Sequence, residues 1–166
     1  MAYLLDANVL IQAHRRHYGF DFCPGFWTWI GQQHADGRVL SVSMVGRELA
    51  AGNDVLAEWA AERGEGFFLE PDAQTLASMA AVSQWVLGQS YQPAAINTFL
   101  QAADYYLVAT AHAHGHVLVT HELPADTPRN VKIPNACVGM NVRYMNPFEM
   151  LRVERARFAL APGPAE

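Results

Sequence analysis

The sequence predicts an α/β domain built on a mainly parallel sheet of four to five strands, and two observations support this fold class. Short, continuous apolar runs recur along the 166 residues, as is typical of strands that are buried on both faces. Segments with helical spacing of apolar residues fill the intervals, and such alternation favours a parallel sheet. Since we find no internal repeat and no linker, residues 1–160 are expected to form one domain, followed by a flexible tail at residues 161–166.

The candidate strands are five apolar runs, of which the last is the weakest. A glycine shortly precedes the second, third and fourth runs, which indicates a turn before each of them. Each run is short enough for a strand and too short for a buried helix. The runs lie at residues 3–5, 39–42, 67–69, 117–119 and 142–144.

The helices are predicted from their end signals and from apolar periodicity. Asn8 and Ser43 are suited to cap the helices that follow the first two strands. Pro71 introduces a longer helix, and another helix runs to about His114, where Gly115 ends it. The longer helix has an apolar stripe of period near 3.6. The stripe consists of Leu76, Met79, Ala80, Ser83 and Leu87.

The composition is that of a globular protein with an acidic balance. The net charge of −5 argues against broad coating of nucleic acid, which favours basic domains, without excluding a nucleic-acid substrate. Cys23 and Cys137 lie far apart and in no metal-like spacing, so reduced thiols in a cytoplasmic protein are expected. The apolar runs are too short to span a membrane, and no secretory signal is recognisable at the N-terminus.

Two acidic residues follow predicted strands and are therefore expected at one edge of the sheet. Asp6 comes directly after the first strand, and Glu122 follows the fourth strand in the segment HVLVTHE. In open α/β sheets, binding sites form at the carboxyl ends of the strands. An unpaired charge such as that of Asp6 is costly among apolar neighbours, which suggests a role for its carboxylate.

Two further acidic residues lie on predicted helix faces that are otherwise apolar. Asp104 is followed three and four positions later by Leu107 and Val108, which places all three on one face. Glu48 repeats this geometry in the segment VGREL. Both carboxylates are therefore predicted to point toward the sheet.

Each of these four acids also has a plain structural explanation, which for any one of them alone is the commoner case. Asp6 could cap the next helix, and Asp104 could interact with a helix dipole. Glu48 could pair with an arginine, and Glu122 could be an ordinary loop residue. Convergence of all four changes the balance, because like charges repel and raise one another's pKa. A hard divalent cation, Mg²⁺ or Mn²⁺, relieves that repulsion and favours phosphodiester hydrolysis as the chemistry.

Four sequence blocks resemble, in order, the PIN-domain nucleases, the family of the VapC toxins. The blocks are LLDANVLI, VGREL, ADYYLVATA and VLVTHE, which carry Asp6, Glu48, Asp104 and Glu122 in turn. The resemblance implies a three-layer α/β/α PIN-like fold and a Mg²⁺- or Mn²⁺-dependent endoribonuclease. It also implies that the first three acids are metal ligands and that Glu122 binds the metal directly or through water.

Two longer segments add a narrower likeness. FDFCPGFWTWI near the start and VKIPNACVGMNVRYMNPFEMLR near the end look like a bacterial PIN-like subfamily long regarded as uncharacterised. The resemblance to VapC toxins further implies an RNA substrate, a homodimer, and neutralisation by a cognate antitoxin in a type II toxin-antitoxin system. None of these partners follows from composition or spacing.

The same resemblance suggests supporting residues around Asp6. Asn8 and Thr120 would hold Asp6 and bound water, whereas a helix cap and a strand-end hydroxyl are the structural alternatives. His121, Arg129 and Lys132 could contact RNA, or they could be ordinary surface residues.

The small basic cluster at residues 15–17 could likewise contact RNA or form ordinary protein surface.

Two other functions are also considered. One is another Mg²⁺-dependent phosphohydrolase, such as a phosphatase with Asp6 as nucleophile. The segment DAN lacks the second Asp that such enzymes commonly place two residues on. The other is a catalytically inactive PIN-like module that only binds RNA or a protein partner. The presence of all four acids argues against this second alternative, because a module without catalytic activity does not need a carboxylate cluster.

Overall fold

A five-stranded, all-parallel sheet runs through the structure, a computed structural model that describes residues 1–64 and 66–160. The strands are β1 (Tyr3–Leu5), β2 (Val39–Val42), β3 (Phe68–Leu69), β4 (Val117–Val119) and β5 (Tyr144–Met145). Their order in the sheet is β3-β2-β1-β4-β5, so that β1 lies between β2 and β4. The predicted flexible tail at residues 161–166 lies outside the described residues.

Helices flank this sheet and form most of the connections between its strands. The α-helices in the described ranges are α1 (Ala7–Gln12), α2 (Pro24–Ala35), α3 (Ser43–Ala50), α4 (Val55–Arg63), α5 (Ala73–Leu87), α6 (Pro93–Gln101), α7 (Ala103–His114), α8 (Ile133–Gly139) and α9 (Pro147–Val153). A π-helical turn at Ala13–His17 continues directly from α1. Within the part of the chain that the structure describes, no helix combines the length and the apolar character needed to cross a membrane.

The strand order reverses at β1, and this reversal places two polar residues side by side. From β1 the chain passes to β2 and β3 on one side of the sheet, and it later returns to place β4 on the other side. Leu5 at the end of β1 pairs in register with Val119 at the end of β4. Asp6 and Thr120 therefore leave the sheet together, in the kind of crevice where open α/β sheets bind ligands.

The two central strands are buried, as their apolar sequences predict. Leu4, Leu5, Leu118 and Val119 each have 0% of their surface exposed. Burial of one such side chain contributes about 1.5–3 kcal/mol relative to its exposure. Asp6 is therefore attached to the most firmly packed part of the molecule.

The predicted fold class is confirmed, with one shift at the last strand. The structure is an α/β domain with a parallel sheet flanked by helices. The fifth strand begins at Tyr144 and not at residue 142. Val142 donates its backbone N–H to the Cys137 carbonyl at 2.8 Å, so it belongs to the turn that follows α8.

Both predicted helix caps are wrong. Asp6 is the N-cap residue of α1, and Asn8 lies inside the helix with an exposed side chain. Val42 is the N-cap residue of α3, and the Ser43 hydroxyl instead donates to Glu70 Oε2 at 2.9 Å. In both cases the strand passes into the helix without a loop, so the helix begins before the residue that was suited to cap it.

The predicted apolar stripe of α5 is on the wrong face. Leu76 and Leu87 are 57% and 62% exposed. The buried residues of α5 are Thr75, Ser78, Val82 and Val86. Smaller side chains let α5 pack closely on α7, where the Ser78 hydroxyl lies 2.9 Å from His112 Nδ1. Apolar periodicity misses this face because two of its four buried residues, Thr75 and Ser78, are polar.

Candidate active site

Asp6 is held in place by the backbone and by Thr120. Its backbone N–H donates to the Val119 carbonyl at 3.0 Å, and the Thr120 hydroxyl donates to Asp6 Oδ2 at 2.8 Å. The residue is only 3% exposed. Burial is the main cause that raises the pKa of Asp6 to about 6, and two nearby carboxylates add to the rise. The Thr120 hydroxyl and the Asn8 backbone amide act in the opposite direction, because they favour the ionised form.

Asp104 approaches Asp6 from the first turn of α7. Leu107 and Val108, which share its helix face, are 0% exposed, so this face points inward as the spacing predicts. The pKa of Asp104 is raised to about 7, first by burial and then by the charge of Asp6. Two carboxylates from distant parts of the chain therefore lie close enough to repel each other.

Glu122 is oriented by contacts on both sides of its carboxylate. The backbone N–H of Ile133, the first residue of α8, donates to Oε2 at 2.8 Å. Lys132 Nζ lies 3.9 Å from Oε1. The backbone N–H of Glu122 donates to the Thr120 hydroxyl oxygen at 3.0 Å. A single hydroxyl thus connects Glu122 with Asp6, and one carboxylate oxygen of Glu122 is already occupied by a helix N-terminus.

Glu48 lies at the solvent edge of the site. Val45 and Leu49 on the same face of α3 are 0% and 3% exposed, whereas the Glu48 side chain is exposed. The predicted inward stripe is therefore correct for the helix face and wrong for the Glu48 side chain itself. Its charge still raises the pKa of both Asp6 and Asp104.

The donor set suits a hard divalent cation, although the four side chains do not close around one point. Across residues 1–64 and 66–160, no group of three or more His, Cys, Asp or Glu side chains is drawn close enough together to hold a metal ion. Mg²⁺ commonly keeps several waters and takes only one or two carboxylates directly. Asp6 is buried and Asp104 is partly buried, and a cation would relieve the repulsion between their carboxylates. The residues present therefore fit a water-rich Mg²⁺ or Mn²⁺ site better than a closed one.

Two basic residues share a cavity with two of the acids. The cavity has a volume of about 220 Å³, and Asp104, Glu122, Arg129 and Lys132 all line it. Basic side chains beside a carboxylate cluster are suited to bind phosphate oxygens while the acids bind a cation. Arg129 and Lys132 thus lie beside two of the carboxylates, where they could bind a phosphate group.

His121 does not line this cavity and packs instead in an aromatic cluster with His17 and Phe148. The His121 ring centroid lies 5.8 Å from that of His17 and 5.7 Å from that of Phe148. Burial and the charge of His17 lower the pKa of His121. Sequence reasoning missed this cluster, because its three members come from separate segments. The one local signal is the basic run at residues 14–17, which forms the π-helical turn, a structure often found at functional sites.

The fold and the arrangement of strands define a class of α/β domain similar to the VapC PIN fold. One similar chain is found in the crystal structure of VapBC2 from Rickettsia felis bound to a DNA fragment from their promoter. The TM-score is 0.55 at 13% sequence identity, and the alignment covers 88% of this chain and 98% of that chain. A likeness at this identity concerns the fold.

The chain belongs to the DUF4411 family, which is described as a domain of unknown function and whose model matches residues 3–158. No curated protein matches the sequence significantly. The match includes Asp6, Glu48, Asp104 and Glu122. Because the family is described as one of unknown function, the function is inferred from the chemistry of the site.

Proposed function

We propose that the protein is a Mg²⁺- or Mn²⁺-dependent endoribonuclease that hydrolyses RNA phosphodiester bonds. The observation that carries this proposal is the convergence of carboxylates at the carboxyl ends of β1 and β4, where the strand order reverses. Asp6 is buried and Asp104 is partly buried, and among the described residues neither forms a salt bridge. In the metal-free protein such a pair keeps its protons to a higher pH than usual, and a bound cation would relieve the repulsion between the ionised forms.

The metal would be held by Asp6, Glu48 and Asp104, with Glu122 acting directly or through water. Glu48 is exposed and accepts no hydrogen bond among the described residues, so its carboxylate can turn toward an ion. Glu122 has one oxygen engaged by the Ile133 N–H, which favours an indirect role. When bound, the cation supplies an activated water and offsets charge in an in-line displacement at phosphorus.

The other residues of the site bind and orient. The Thr120 hydroxyl fixes one oxygen of Asp6 and favours its ionised form, which is the form that binds a cation. Arg129 and Lys132 would bind phosphate oxygens beside Asp104, in the cavity that these residues share. Both contacts position the phosphodiester and do not by themselves read the RNA sequence.

A cleavage assay tests the nuclease proposal. Purified protein is incubated with structured and unstructured RNAs in Mg²⁺, in Mn²⁺ and in EDTA. Cleavage is expected only with metal, and Asp6→Asn and Asp104→Asn should each lower the rate by at least about a hundredfold. Glu58→Gln changes an exposed acid on α4 and should retain the wild-type rate.

Cleavage that persists in EDTA, or in both aspartate variants, would refute the metal mechanism. Tight RNA binding without cleavage in all conditions would favour a catalytically inactive binding module.

We also propose that this nuclease is the toxin of a type II toxin-antitoxin system, acting on cytoplasmic RNA as a homodimer and neutralised by a cognate antitoxin. Support comes from the fold likeness to a chain of VapBC2 and from the four acidic blocks that resemble VapC toxins. Expression of the chain alone in bacteria should arrest growth, and Asp6→Asn should abolish the arrest. Normal growth with the wild-type chain would count against the toxin role and would leave the nuclease assay decisive for the activity.

A further inference from the structure

A cleft that is both cationic and aromatic lies on the surface formed by α9 and the segment after it. Its volume is about 460 Å³. We call it the arginine cleft. The residues that characterise it are Tyr18, Phe148, Phe158, Arg152, Arg155 and Arg157. Three arginines around three aromatic rings stand out in a chain whose net charge is −5.

The positive charge of the arginine cleft is not cancelled by the acids of the same segment. Glu149 is engaged in the capping box of α9, where its side chain accepts the Asn146 backbone N–H at 2.9 Å. Glu154 accepts the Tyr3 hydroxyl at 2.6 Å and pairs with Arg38. Within the described residues, none of the three cleft arginines forms a salt bridge. The cleft therefore offers open positive charge to an anionic partner.

The arginine cleft adjoins the aromatic cluster of His17, His121 and Phe148, which lies next to the candidate active site in the chain. Phe148 lines the cleft and also packs on His17, with ring centroids 5.2 Å apart. His121 contacts both rings and lies in the chain between Thr120 and Glu122. Ring contacts thus connect the cleft with the segment that carries Thr120 and Glu122.

The backbone of Arg155 supports a role for this surface. Arg155 has φ 52°, in the left-handed region, and donates its N–H to the Arg152 carbonyl at 3.1 Å just after α9. Glycine or asparagine is the usual residue in this conformation, because other side chains are strained there. An arginine in this conformation at a charged cleft is a backbone outlier that motivates the hypothesis of a function for its side chain.

We propose that the arginine cleft binds the single-stranded RNA that extends from the cleavage site, an inference that rests on the proposed nuclease activity for the identity of the strand. Phosphates would lie against the arginines, and an unstacked base would lie against Phe148. Positive grooves with aromatic platforms are the usual means of binding single strands, and duplex RNA hides the base faces that such platforms need.

Binding is measured by fluorescence anisotropy with a labelled single-stranded RNA, in an Asp104→Asn background that limits cleavage. The double variant Arg152→Gln/Arg157→Gln should weaken binding by about tenfold or more near 0.1 M salt and lower the log–log salt slope by about 1.4, or roughly 0.7 for each lost phosphate contact. Arg47→Gln is the matched control, because it removes a charge on α3 that pairs with Glu70, and it should change the affinity less than about twofold.

Two further variants separate the contacts from folding. Phe148→Leu should weaken binding several-fold through lost stacking, leave the salt slope unchanged, and have no effect on binding of a matched duplex. Arg155→Gly should relieve the strained backbone, so thermal stability should be kept or raised while RNA binding falls.

The results distinguish this inference from the nuclease proposal. If the double arginine variant binds RNA no more weakly than Arg47→Gln, or if the background protein binds no single-stranded RNA, the inference is overturned even where the wild type cleaves RNA. If RNA binding depends on the arginines but the wild type cleaves no RNA under any metal condition, the RNA-binding inference stands and the nuclease proposal is refuted.

Discussion

Replacement of Asp104 by Asn should stabilise the metal-free protein, and the gain should grow with pH. The pKa of Asp104 is raised from 3.8 to about 7 in the folded state. The folded state therefore holds the proton more tightly than the unfolded state. The contribution of the protonated carboxyl to the free energy of unfolding is fully present below the unfolded-state pKa of 3.8, and it is lost as the pH rises through the folded-state pKa of about 7. At about 1.4 kcal/mol for each pKa unit, the ionised carboxylate lowers the free energy of unfolding by about 4 kcal/mol at pH 8.

Asn keeps the shape of the protonated side chain and carries no charge. In EDTA, Asp104→Asn should exceed the wild type in free energy of unfolding by about 2 kcal/mol at pH 5 and by about 4 kcal/mol at pH 8. Urea unfolding at the two pH values measures both differences. Asp36→Asn is the control, since Asp36 is exposed at the C-terminal end of α2, and its effect should stay within about 0.5 kcal/mol at both pH values.

A variant that is no more stable than the wild type at pH 8 in EDTA would refute the inference that Asp104 is buried beside other acids. Saturating Mn²⁺ should narrow or reverse the difference in free energy of unfolding between Asp104→Asn and the wild type. A cation stabilises the folded state that binds it, and the wild type should bind it more tightly than the variant.

Thr120→Val should shift the acidic limb of the pH–rate profile upward, because Asp6 loses a hydrogen bond to its ionised form. It should also cost about 1–2 kcal/mol in urea unfolding; Thr120→Ser should preserve both properties, and equal behaviour of the two variants would contradict this role. Gly139→Ala should cost about 1–3 kcal/mol by thermal unfolding, since the added Cβ would lie 2.1 Å from Trp85 Cε2. Gly31→Ala, where the nearest atom is 3.6 Å away, should be neutral or mildly stabilising, and an equal loss would contradict the close packing.

The central strands and the inward positions of Asp6 and Asp104 were predictable because they depend on local patterns. Continuous apolar runs define β1 and β4, and Asp6 follows the first of them directly. The spacing of Asp104 relative to Leu107 predicts the inward face of α7, which the structure bears out. Parallel strands then bring their carboxyl ends to one edge as a matter of topology.

The rest of the site depends on contacts between segments that no local pattern contains. Glu48 lies on a buried helix face, but its long side chain reaches solvent, and spacing alone does not separate these cases. The Ile133 N–H that binds Glu122 comes from a helix start eleven residues on. The cluster of His17, His121 and Phe148 joins three distant segments, so only the folded chain shows it.

Binding of Mn²⁺ with measurement of the protons released tests the central claim most directly. Asp6 and Asp104, with pKa values of about 6 and 7, should together release about one proton for each cation bound at pH 6.5, and about 0.1 at pH 8. Calorimetry in buffers of different ionisation enthalpy measures this number. The wild type should bind and release protons as stated, and Asp6→Asn and Asp104→Asn should each bind at least about tenfold more weakly. Binding of equal strength in both variants, or without proton release at pH 6.5, would contradict a cation centre built on these two carboxylates.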